Sequence, residues 1–139
     1  MSQRTAWLLM IIVLLAGCSA EAPPGKAELK TQRLHEFYPG SISNVEAVEI
    51  LDGSTGDRKL ISDELMVRDW INQVKDMIFV PDPNQEGRTG FLYEVSLFEG
   101  EERKLSFTPS AVGGHYYLHN EKLLARVEAL FQGAGGKSQ

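Results

Sequence analysis

An unbroken run of 11 apolar residues, Ala6 to Ala16, stands near the start of the chain, and nothing comparable follows it. A bilayer-spanning helix takes roughly 20 residues, so this run is too short to span in a mature protein. It also skews the composition. Of the residues behind the 42% hydrophobic content of the 139-residue chain, twelve fall within the first 17 positions, and what remains for a core is ordinary. The fold must therefore be built downstream, from about 90 patterned residues, enough for one modest core without cross-links or metal. One Cys excludes an intrachain disulfide and a cysteine-cluster metal site. With 14 Lys+Arg against 19 Asp+Glu, the formal charge of −5 argues against binding nucleic acid through general positive charge.

Arg4 ahead of the run, and the run's own length, fit the apolar region of a secretory signal peptide. Leu15-Ala16-Gly17-Cys18 then resembles the lipobox of bacterial lipoproteins at all four positions. The resemblance implies that residues 1–17 are cleaved and that Cys18 becomes the N-terminus, carrying a diacylglyceryl group in thioether linkage. One acyl chain binds a membrane only marginally, whereas two or three anchor it stably. Ser19, rather than Asp, follows the Cys. In a cell with two membranes the resemblance then implies the outer one; in a cell with one, the extracytoplasmic face of the cell membrane. Loss of Arg4 would make the mature charge one unit more negative than −5. The expected membrane partner is lipid, held through Cys18.

Residues 18–40 make up this N-terminus and a linker, with Pro23-Pro24-Gly25 giving linker composition. Leu34, Phe37 and Tyr38 within it are spaced for one helical turn that packs at the domain edge. A single domain is expected over 41–132, and 133–139 reads as a loose tail. Asn44 to Leu51 alternates as a strand, Asp52 to Gly56 turns, and Arg58 to Ile61 returns. Ser62 is positioned to cap a helix whose apolar face is Val67, Trp70, Ile71, Val74, Met77 and Ile78, ended by Pro81 and Pro83. Pro81 to Gly90 reads as a polar, solvated loop. Phe91 to Phe98, Arg103 to Thr108 and His115 to Leu118 alternate as strands, separated by turns at Glu99–Glu102 and Pro109–Gly114. Asn120 caps a last helix carrying Leu123, Leu124, Val127, Leu130 and Phe131. The expected fold is α+β: a small antiparallel sheet, element order β-β-α-β-β-β-α, with two helices packed on one face. The lipidated start, the Ile50–Asp57 hairpin, the amphipathic helix and the meander together resemble small, uncharacterised Gram-positive lipoproteins, a likeness that implies no activity.

Three segments invite chemistry. Asp82-Pro83-Asn84-Gln85-Glu86-Gly87 matches the first half of an EF-hand loop, but the position of the bidentate acid is Tyr93. A solvated loop is the simpler reading, with a weak calcium site at Asp82–Glu86 as the alternative. His115 and His119 would share a metal if helical. In a strand, four residues span about 13 Å, so they cannot ligate one ion. The strand reading instead places His115, Tyr117 and His119 on one face, a patch that could meet a partner; a strand end with one tyrosine buried is the plainer alternative. Glu46, Glu49 and Glu99–Glu102 read as solvated charges. Gly133–Ser138 lacks the first glycine of a phosphate-binding loop, and no G-x-S-x-G or H-E-x-x-H pattern occurs. No catalytic residue, metal ligand or cofactor is expected. The sequence points to a membrane-anchored extracytoplasmic lipoprotein, a non-catalytic binding or interaction module for an unknown protein or envelope ligand. A small cell-envelope enzyme of the wall-polymer hydrolase type is the alternative.

Overall fold

The computed structural model describes residues 28–134; the expected export segment, Cys18, the first part of the expected linker and residues 135–139 lie outside it. In chain order the elements are β1 (Gln32–Arg33), α1 (Leu34–Phe37), a 3-10 turn at Ile42–Asn44, β2 (Ala47–Asp52), β3 (Arg58–Ile61) and α2 (Glu64–Val74). Next come β4 (Ile78–Phe79), β5 (Tyr93–Glu99), β6 (Glu102–Thr108), β7 (Ala111–Val112), β8 (His115–Tyr116) and α3 (Glu121–Gly133). The class is α+β. One antiparallel sheet of six strands runs β3-β2-β5-β6-β7-β8, and β1 pairs with β4 apart from it.

Alternation in the central strands builds the core. Val48 lies opposite Leu97, Ile50 opposite Val95, and Val95 opposite Phe107, so one face of the sheet is a continuous apolar floor. The two longer helices lie against each other and against this sheet, α2 over β2 and α3 over β5. They bury Val67, Trp70, Ile71 and Val74 from α2, and Leu123, Val127 and Leu130 from α3. The Trp70 indole N–H crosses the helix pair to donate to the Arg126 carbonyl at 3.0 Å. At the far end, the Lys59 ammonium donates to the Phe131 carbonyl at 2.8 Å and sits 4.1 Å over its ring. A cation there suits the negative end of α3. The opposite sheet face mixes Leu51, Leu60 and Phe98 with polar groups: Arg58 pairs with Glu49 at 2.9 Å, and Ser106 donates to Glu94 at 3.1 Å. An antiparallel sheet tolerates water on one side in this way.

Several boundaries differ from the sequence reading. Asp63, not Ser62, caps α2, its carboxylate accepting from the Met66 amide at 2.9 Å. Helix α2 stops at Val74, well before Pro81, and the carbonyls just beyond it are taken up by α1. The Leu34 amide donates to the Met77 carbonyl and the His35 amide to the Lys75 carbonyl, both at 3.0 Å. The free amides opening α1 thus satisfy the free carbonyls around the end of α2. Packing also begins before Ser41, with Leu34 and Tyr38 buried in the core. Phe37 meets Phe79 and Tyr117 edge-on at 5.3 and 5.5 Å. Within the expected Pro109–Gly114 turn lies β7, joined to β8 by Gly113-Gly114 at φ +61° and +80°. Positive φ at both central residues is the requirement of a type I′ hairpin. Asn120 caps α3 as expected, accepting from the Leu123 amide at 3.0 Å.

Candidate functional site

The segment between β4 and β5 is not a freely solvated loop. It is tied to β8. The Asp82 amide donates to the Tyr116 carbonyl at 3.0 Å. Gln85 brackets the same residue, its side-chain nitrogen donating to the Tyr116 carbonyl at 2.7 Å and its oxygen accepting from the Tyr116 amide at 2.9 Å. The Arg88 amide donates to the Tyr116 hydroxyl at 2.9 Å, and the Arg88 guanidinium stacks 4.6 Å over the ring.

That guanidinium also donates to the Asp82 carboxylate at 2.7 Å and to the Asn84 carbonyl at 2.8 Å. Its hydrogen bond, with help from the Asn84 amide, holds the Asp82 carboxyl below the ordinary carboxylate value. Asn84 in turn accepts from the Glu86 amide at 3.0 Å. The oxygens that imitate half of a calcium loop are therefore turned onto the chain's own donors. Arg88 supplies the positive charge that a cation would bring. Among the described residues, no three His, Cys, Asp or Glu side chains converge as metal ligands.

The other end of the loop is set by Gly53. Its amide donates to the Leu92 carbonyl at 2.8 Å. A Cβ at Gly53 would stand 2.0 Å from the Phe91 carbonyl oxygen and 2.9 Å from its ring, so no side chain fits. Asp52 fixes the adjoining turn, accepting from the Ser54 amide at 2.8 Å and hydroxyl at 2.6 Å. Those bonds pull its carboxyl below the usual range. Phe91 and Leu92 are left exposed, and they border a cleft of about 250 Å³. Pro109 adds to its apolar side; Arg88, Ser110, Tyr116 and His119 give it polar groups.

The expected face of His115, Tyr117 and His119 does not form. His115 is exposed beside the hairpin tip, and His119 reaches the cleft. Tyr117 is only 2% exposed, covered by Phe37 and Phe79, and burial raises its hydroxyl pKa. Those two rings come from distant segments that no local spacing could place over it. Tyr116 and Arg88, the pair that organises the cleft, carry no local sequence signal for the same reason: they lie 28 residues apart. The glutamates expected to be solvated have local tasks. Glu46 accepts from the Gly100 amide at 3.2 Å, and Glu99 accepts from the Tyr38 hydroxyl at 2.6 Å. Burial, then the Glu99 bond and charge, push the Tyr38 hydroxyl far above its normal value. No carboxylate is among the residues lining the cleft. Compared with known proteins, the chain matches no family model, no curated protein and no solved structure.

Proposed function

We propose that this protein is a lipoprotein held on the extracytoplasmic face of a bacterial membrane through Cys18, and that its domain is a non-catalytic interaction module. The shape and lining of the cleft carry the second half of this reading. Its volume of about 250 Å³ lies below the roughly 300–1,000 Å³ of small-molecule sites. It suits one or two side chains of a partner rather than an enclosed metabolite. Arg88, Tyr116 and Phe91 are of the types enriched in protein interfaces. A wall-polymer hydrolase of the usual form needs two opposed acids, and the cleft lining offers none. The tetrad Leu15-Ala16-Gly17-Cys18 supports the anchorage.

A photoreactive residue at Leu92, in the full chain on intact cells, tests the site. The expected result is a discrete adduct at Leu92 that is absent when the probe sits at Leu60, which is exposed on the sheet face turned away from the helices. Equal labelling at both positions, or none at Leu92, would contradict the proposed interface.

A further inference from the structure

The segment Ile78–Pro81 runs between two others as a narrow ribbon. On one side β1 pairs with it, Gln32 opposite Phe79 and Arg33 opposite Ile78. On the other, Pro81 bridges Tyr117 and the Leu118 amide donates to the Val80 carbonyl at 2.8 Å. Side chains alternate across such a ribbon. Phe79 and Tyr117 point into the core, 1% and 2% exposed. Ile78, Val80 and Leu118 point out, 50%, 41% and 49% exposed. Val80 and Leu118 are cross-strand neighbours, and Ile78 is one repeat along the same face. Three contiguous large apolar side chains differ from singly exposed ones, which need no explanation.

The position of the tether says what lies against them. The chain enters the fold through β1, along this ribbon. Cys18 precedes Gln32 by 14 residues, a reach of at most about 50 Å. A lipid at Cys18 therefore keeps this end of the domain within about 50 Å of the bilayer. The acidic chain has no general attraction for anionic headgroups, so contact there would rest on these apolar side chains, with Arg33 beside Ile78, and on the tether.

We propose that Ile78, Val80 and Leu118 form a membrane-resting face, seated in the lipid interface when the protein is anchored at Cys18. This rests on the lipoprotein reading, and the test separates the two. The chain from Cys18 onward contains the whole described fold and is coupled by the Cys18 thiol to a maleimide lipid in phosphatidylcholine vesicles. The tether is then supplied whether or not cells lipidate Cys18, a point read independently from the detergent partition of the native protein. Leu118→Trp reports contact through quenching by brominated acyl chains, and Leu65→Trp, at the opposite end of α2, is the control. Trp70, the one native Trp in that chain, is buried and gives a constant background.

The expected result is several-fold stronger quenching at position 118 than at 65, reduced towards the control by Ile78→Ser with Val80→Ser, and absent without the tether. Equal quenching at the two positions, or none at 118, would overturn the proposal. So would a blue shift at 118 in lipid-free protein that grows with protein concentration, because that would make the occupant a second copy.

Discussion

Gly53 shows how one residue can set a site it does not touch. Its amide holds the Leu92 carbonyl, and its missing Cβ makes room for the Phe91 carbonyl. Gly53→Ala forces that backbone away and should cost about 1–3 kcal/mol, the usual penalty of overpacking. Urea denaturation checks the stability, and loss of the Leu92 adduct checks the cleft. Tyr38 makes a different kind of prediction. Its folded pKa is raised above the ordinary 10.0, so the neutral hydroxyl is favoured in the fold. The stability it contributes is fully present below pH 10 and is lost as pH climbs towards the folded value. Tyr93 and Tyr117 are shifted in the same direction. Denaturation followed from pH 8 to 12 should show stability falling above pH 10, and falling less steeply in Tyr38→Phe. Identical slopes in the two proteins would show that Tyr38 carries none of the effect.

At the level of elements, Trp70 joins the two long helices through its ring and its indole N–H. Trp70→Phe keeps most of the buried area and removes one hydrogen bond, for about 1 kcal/mol. Trp70→Ala empties the site and should cost about 3–5 kcal/mol. Thermal unfolding of both variants checks that order. The buried face of α2 was legible in the sequence because Val67, Trp70, Ile71 and Val74 repeat at helical steps. The central strands were legible because Val48, Ile50, Val95 and Leu97 alternate. The end of α2 was not, since the carbonyls just past it are bonded by a pair of amides from α1, about 40 residues earlier. Nor was β7, whose two residues are too few to show a period. The cleft was the least legible feature. Its Arg88–Tyr116 stacking and its Gly53–Phe91 contact are each made between residues far apart in sequence, and a pattern of local spacings carries no trace of them.

For the molecule as a whole, the packed body takes in residues of the proposed tether. Leu34 and Tyr38 belong to the core although composition alone suggested a domain starting at Ser41. A chain starting at Ser41 should therefore lose cooperative unfolding, while one starting at Glu28 keeps it; circular dichroism melts of the two decide the point. The same continuity brings the chain into the fold beside the exposed Ile78, Val80 and Leu118, on a ribbon that also leads to the cleft loop. Anchorage and binding surface would then be fixed relative to each other by β4 and β8. The proposed anchorage turns on Cys18. Detergent-phase partition of the full-length protein from its own cell, against Cys18→Ala, is the most direct measurement. The account predicts that the wild-type protein enters the detergent phase and that Cys18→Ala moves to the aqueous phase. Unchanged partition of Cys18→Ala would contradict it.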